Sequence, residues 1–333
     1  MKKLILSLVA LLTATMSYAQ ATLVATLSHE GEVSMFYGAY GLQKAMAAAN
    51  NGDVITLSGG SFQATTIDKA VAIRGAGIEV SSPTYIVNKF TINIASDVTE
   101  RLLMEGVKVT GRVTVESIPN GANFLGCTFY EIDGNNSSSI MKNAIFSSCR
   151  ITDSYYLRGT CDATFLGCYV SYVNNQSSET ASASLINCVI GDGHNLSSSH
   201  SCMYENCVFE FQSYSSCPLP SSVTATNCVC FVTTNYDNSS LFSNVASASG
   251  CRIVKSDSFT FFKTYTGTYS DTENFELTDA AKATYLGTDG TEIGMHGGYS
   301  PYDATPSYPL ISNMSVSAKT SGVLNVDIEI SNP

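Results

Sequence analysis

The chain has no tryptophan, only four histidines, and 17 lysines and arginines among 333 residues. Charged residues make up 14%, against about 25% in an average globular domain. Few side chains are therefore available for acid–base or ionic chemistry. Acids outnumber bases 28 to 17, for a formal net charge of −11, which repels a phosphate backbone and argues against nucleic acid as a partner. No apolar run approaches the ~20 residues that a membrane-crossing helix needs, so no transmembrane segment is expected. At 44% hydrophobic residues, the chain is nevertheless too apolar for disorder.

The first residues carry an address. Lys2 and Lys3 precede an apolar stretch from Leu4 to Leu12, and Ser17-Tyr18-Ala19 is a small-x-small cleavage site. This pattern predicts a secretory signal peptide over residues 1–19, cut near Ala19, and a secreted mature chain in an extracellular, periplasmic or outer-surface setting. No cysteine precedes Cys127, so a lipid anchor on a first mature cysteine is not expected.

Seven of the 11 cysteines keep step: Cys127, Cys149, Cys168, Cys188, Cys207, Cys228 and Cys251. The residue before each is Gly126, Ser148, Gly167, Asn187, Asn206, Asn227 or Gly250, types that tolerate tightly bent or left-handed backbone. Two residues after each cysteine stand Phe129, Ile151, Val170, Ile190, Phe209, Cys230 and Ile253; three before stand Phe124, Phe146, Phe165, Leu185, Tyr204, Ala225 and Ala248. A mostly alanine set, from Ala122 to Ala246, stands five before. Strand alternation turns all of these inward on either side of a one-residue corner. Val107, behind Gly106, repeats the pattern without the cysteine. A period near 20 residues with like residues at like positions is explained by stacked coils, not by helices or hairpins. The L-x-x-L-x-L spacing of a leucine-rich repeat is absent.

These features resemble the right-handed, single-stranded parallel β-helix of the pectin-lyase-like superfamily, in a secreted bacterial form. The stretch Gly41 to Asn50 places Leu42, Ala45, Met46 and Ala49 at helical spacing, and Gly52-Asp53-Val54-Ile55-Thr56-Leu57 follows it. In that superfamily such a helix caps the first coil, and a G-D-x-I-x-L stretch is the first rung. Val71 to Gly77 is similar to the second rung. The implied fold is all-β, a solenoid of about ten coils of ~20 residues, with an N-terminal capping helix and a short C-terminal β tail. The expected division is 20–299 for the β-helix with its cap and 300–333 for a Pro-containing linker and hairpin. Gly287 to Tyr302 is similar to the closing segment of secreted bacterial β-helices. In the tail, Leu324, Val326, Ile328 and Ile330 alternate with polar residues, and Ile311 to Val316 is positioned to pair with them. A lone hairpin is marginal in water, so the tail is expected to dock on the rod.

The cysteine column reads as a ladder of small core residues. Stacked thiols stand about one rung apart, farther than the ~3.8 Å between Cβ atoms in a disulfide, and burial keeps them protonated and shielded. Zinc wants ligand pairs two to four residues apart; only Cys228-Val229-Cys230 comes near, so no metal and no cofactor is expected. Cys161 and Cys217 fall out of phase.

The resemblance implies carbohydrate in a groove beside one sheet. The fourth residue after each ladder cysteine leads there and includes Glu131, Asp153 and Asp192, the candidate catalytic acids. Stacked, Glu131 and Asp153 would stand about 5 Å apart, the separation of a retaining glycosidase pair, and Asp153 and Asp192 would approach the ~9.5 Å limit for inversion. Acids in turns are also ordinary turn formers. Gly191-Asp192-Gly193-His194 and Arg252-Ile253-Val254-Lys255 resemble the G-H-G and R-I-K motifs of polygalacturonase-type hydrolases, but their N-T-D and D-D motifs are missing. Tyr155, Tyr156, Tyr169, Tyr172 and Tyr214 lie in or beside polar loops, where rings stack on sugars or lean on the rod as cover. Tyr155, Tyr156, Tyr172 and His194 are the candidate ligand contacts. The leading expectation is a non-catalytic scaffold presenting loops to glycan or protein at a bacterial surface. The alternatives are a polysaccharide lyase or glycoside hydrolase, and a purely structural or adhesive surface component.

Overall fold

The computed structural model describes residues 23–134, 136–156, 158–174, 181–196, 201–210, 218–232, 239–255, 261–264, 269–308, 310–318 and 324–331. The chain is a parallel β-solenoid of about eight turns, in which the rungs Val54–Leu57 and Ala72–Arg74 stack in parallel ahead of Leu102–Glu105. One turn consists of the strand Ala122–Leu125, the corner Gly126, and the strand Thr128–Gly134. The next turn supplies Ile140–Ser147 and Arg150–Tyr156. Register is in phase from coil to coil: Ala122 pairs with Ala144, Ala144 with Ala163, Phe124 with Phe146 and Phe146 with Phe165. The corner residues from Gly106 to Gly250 all have φ between 51° and 69°. Only glycine, asparagine and one serine occupy them, because the left-handed conformation costs other residues roughly 1–2 kcal/mol.

The interior is built of like on like. Phe146 stacks on Phe124 at 4.5 Å and on Phe165 at 4.6 Å. The thiols from Cys127 to Cys207 bond to the coil before: Cys149 Sγ donates to Phe124 O at 3.2 Å, Cys168 to Phe146 O at 3.4 Å and Cys207 to Leu185 O at 3.2 Å. The ladder cysteines from Cys127 to Cys228 are buried and unbridged, and Cys251 is half-buried. Burial pushes the thiols of Cys149, Cys188, Cys207 and Cys228 up. Cys161 does have a place in the repeat, contrary to its reading as out of phase. It stands in a third interior column with Ile118 and with Met141, which lies two residues before the bend at Asn143, φ 48°. Cys217 lies outside the described residues.

At the N-terminal end, β1 (Val24–His29) and β2 (Glu32–Tyr37) form a hairpin laid antiparallel on β3 (Val54–Leu57). The expected cap is α1 (Gly41–Ala48), which buries Leu42, Ala45 and Met46.

The count of about ten coils is corrected to about eight. It assumed coils through to residue 299, whereas the last stacked strands are Ser247–Ser249 and Arg252–Lys255. Ala246, Ala248 and Ile253 hold inward positions yet are exposed, since no further coil covers them among the described residues. Residues 261–264 and 269–308 instead turn back along the rod. Around α2 (Asp279–Thr284), Phe261, Phe275, Leu277 and Ile293 form a second, outer core against Tyr169, Val189, Val208 and Val229. Gly287 to Tyr302, expected to close the far end, belongs to a strap that descends the corner row in reverse order. Asn227 Nδ2 donates to Leu286 O at 2.7 Å, Thr288 N to Asn206 Oδ1 at 3.0 Å, Asp303 N to Ser148 Oγ at 2.9 Å and Ser307 N to Glu105 Oε1 at 2.6 Å. Corner N–H groups bond from coil to coil, as Gly126 N does to Ser147 O at 2.9 Å, and the stitches satisfy the polar side chains at and beside the corners.

The tail forms its own two-stranded sheet, Leu310–Ala318 antiparallel to Leu324–Ser331, with Met314 opposite Ile328 and Val316 opposite Val326. Its docking rests on side chains outside those described. Among the described residues, no helix is long and apolar enough to cross a membrane.

Candidate functional site

From Val107–Ile118 to Val189–Asn195, the second strands of alternate coils carry one extra residue, and the register slips between neighbours. Phe129 pairs with Ile151, but Glu131 pairs with Ser154; Ile151 pairs with Val170, and Ser154 with Tyr172. Ile151 and Tyr155 therefore stand four residues apart and keep the inward phase, whereas Phe129 and Ile132, on the strand without the extra residue, stand three apart, and all four side chains are buried. Beyond the slip, Val113, Ile132, Tyr155, Val173 and His194 stand in one register column, and all are buried. Two neighbouring columns face outward: Arg112, Glu131, Ser154 and Tyr172, and Thr114, Asp133, Tyr156 and Asn174.

The buried column corrects two expected ligand contacts. Tyr155 is 0% exposed, its ring edge-on to Phe165 at 4.8 Å and its hydroxyl 3.1 Å from Cys161 Sγ; it is a core residue. His194, in the same column, is likewise buried. Tyr156 and Tyr172 face outward and remain partly accessible. Tyr169 is cover, as the structural alternative has it, stacked on Phe275 at 4.5 Å beneath residues 261–264 and 269–308. Tyr214 lies outside the described residues.

The three candidate acids do not form one row. Glu131 and Asp153 lie within strands, not in loops. Asp153 falls in the bulge and Ser154 takes its place opposite Glu131. For Asp192 only the backbone is described, within the strand Val189–Asn195. The structure gathers a different set. Arg112 Nε lies 2.9 Å from Glu131 Oε1 and its Nη1 3.2 Å from Asp133 Oδ2. Arg158 Nε approaches Asp133 Oδ1 at 3.4 Å, and its guanidinium lies 4.9 Å from the Tyr156 ring centroid. Both carboxylates are buried, whereas the Arg112 side chain is 49% exposed.

Electrostatics follows from that burial. Glu131 is raised above the ordinary glutamate range, first by burial and further by Asp153 and Asp133, against the pull of Arg112. Asp133 is raised by burial, with Arg158 and Arg112 opposing. Arg112 lies between the two carboxyls, donating from Nη1 to Asp133 and pairing through Nε with Glu131, and burial outweighs its pull on both titrations. Among the described residues no group of three His, Cys, Asp or Glu is arranged to hold a metal ion.

Arg112, Asp133 and Arg158 were not singled out in the sequence. Asp133 was within reach, two residues from Glu131 on the same strand face. Arg112 stands on the cysteine-free coil, five residues after Val107, where alignment on thiols gives no guide. Arg158 has no repeat position at all. Comparison with protein-family models, curated proteins and solved structures returns no match to the chain.

Proposed function

We propose that the chain is an exported, non-catalytic β-helix scaffold whose outward columns around Arg112, Tyr156, Arg158 and Tyr172 contact glycan at a bacterial surface. Export rests on the Lys2-Lys3, apolar-run and Ser17-Tyr18-Ala19 pattern. The choice of glycan rests on the likeness to the pectin-lyase-like superfamily, carried by the capping helix and the G-D-x-I-x-L rung.

The observation that carries the non-catalytic reading is the commitment of Glu131 and Asp133 to arginine. A general acid or base must face the substrate to exchange a proton with it; here Glu131 and Asp133 face guanidinium groups instead. The same set suits neutral hydroxyls. Guanidinium groups donate, tyrosine and asparagine donate and accept, and the acids nearly cancel the arginines, so little net charge selects for an anion.

Isothermal titration of the mature chain against a panel of neutral and acidic oligosaccharides tests this. Heat is expected with a subset of the panel and is lost in Arg112→Ala and Tyr156→Ala. Absence of heat with every glycan overturns the reading. So does release of unsaturated uronide or new reducing ends that disappears in Asp153→Asn, which would establish catalysis instead.

A further inference from the structure

The N-terminal end of the rod finishes on a strand whose outer edge is unpaired among the described residues. β2 is bonded to β1 alone. Its hydrogen-bond phase is fixed by a neighbour: Ser58 N donates to Val24 O at 2.9 Å, so the peptide groups of Val24 face β3. Bonded and non-bonded pairs alternate along an antiparallel ladder. The pairs Val24 with Tyr37, Thr26 with Met35 and Ser28 with Val33 are therefore the non-bonded ones, and the peptide groups of Val33, Met35 and Tyr37 point to the free edge. The same three side chains are 60%, 59% and 56% exposed and share one face, while α1 packs against the hairpin from the core side.

Natural edges are guarded by charge, proline or a bulge. From Val33 to Tyr40 the sequence is Val-Ser-Met-Phe-Tyr-Gly-Ala-Tyr, with none of these. The last rung at the opposite end carries exposed Arg252.

We propose that β2 pairs antiparallel with β2 of a second copy, about a two-fold axis at Met35, so that one sheet runs through two rods joined at their N-terminal ends. This goes beyond the glycan reading and does not depend on it. The register is self-complementary. Met35 meets Met35, Val33 meets Tyr37, and the outward peptide groups of one strand bond those of the other, as an isologous contact requires. Glu32 then faces Gly38 and Glu30 faces Tyr40, so no acid opposes an acid. That charge pattern favours a second copy in this register.

Sedimentation of the mature chain from about 1 to about 100 µM tests the pairing by mass action. A dimer is expected to build up with concentration. Met35→Lys and Met35→Glu each place like charges opposite each other at the axis and are expected to weaken dimerisation at least tenfold. A one-to-one mixture of the two variants restores the dimer, which misfolding would not do. The proposal is overturned by a monomer throughout the range, by undiminished dimer in Met35→Lys, or by a mixture that stays monomeric. Protection of Met35 from peroxide in a monomer also overturns it, because the tail would then be the occupant.

Discussion

Asn227 donates from Nδ2 to Asn206 Oδ1 at 2.9 Å, and both residues stand at corners in the left-handed region, with φ of 51° and 53°. Asn206 in turn accepts from Thr288 N at 3.0 Å. One residue type thus turns the chain, links successive coils and fastens the strap. Asn206→Gly keeps the turn and loses the stitches; Asn206→Ala loses both. Urea denaturation is expected to show a loss of about 1 kcal/mol for the first and roughly 2–3 kcal/mol for the second. Equal losses would mean that the amide contributes everything and backbone strain nothing.

Phe146 lies between two parallel rings, Phe124 and Phe165, with Tyr155 edge-on at 5.9 Å. Phe146→Ala leaves a cavity in the middle of the stack and is expected to cost about 3–5 kcal/mol by the same measurement. A loss below about 1 kcal/mol would mean that the stack is not closely packed.

The corners and the thiol column were legible in the sequence because each is imposed by a hard constraint. Positive φ excludes most residue types, and a stacked interior repeats one size of side chain per position. The fate of Tyr155 and Tyr156 was not legible. The strand runs on through Tyr156, past the point where the acids and tyrosines suggest a polar loop, and Tyr155, four residues after Ile151, keeps the inward phase of that strand. The strap escaped notice for a different reason. Its contacts follow the period of the rod, but its own sequence has none, since each stitch uses a different backbone or side-chain group. Arg112 was missed because its coil lacks the cysteine that set the alignment.

Arg112 serves two buried carboxylates. Arg112→Ala leaves both without their shared fork and is expected to cost about 2–3 kcal/mol, less than a fully buried pair because water reaches the half-exposed site. Arg112→Lys keeps the charge but not the two-point geometry, and should recover only part of that loss.

Glu131 adds a pH signature. Its carboxyl is raised by burial, so the folded chain binds this proton more tightly than the unfolded chain does. Its contribution therefore favours folding at low pH and is lost as pH rises from the unfolded value of about 4.3 through the higher folded value. Across that window the stability of the wild type minus that of Glu131→Gln should fall with rising pH, as read from urea denaturation at stepped pH. A flat or rising difference would contradict the assignment.

Arg150 pins the strap. Buried, it donates to Asp271 O at 2.8 Å, pairs with Glu79 and lies 5.1 Å from the Tyr302 ring centroid. In Arg150→Met, amide exchange over residues 269–308 should quicken at least tenfold while the coil strands keep their protection, because the strap opens as a local unit. Uniform quickening would show that strap and rod unfold together.

Native-state thiol labelling read by mass spectrometry tests the stacked architecture most directly. The account predicts that Cys127, Cys149, Cys168, Cys188, Cys207 and Cys228 resist the reagent until the chain is unfolded, and that Cys251, half-buried at the last coil, reacts first. Rapid labelling of the six inner thiols in the folded chain would contradict it.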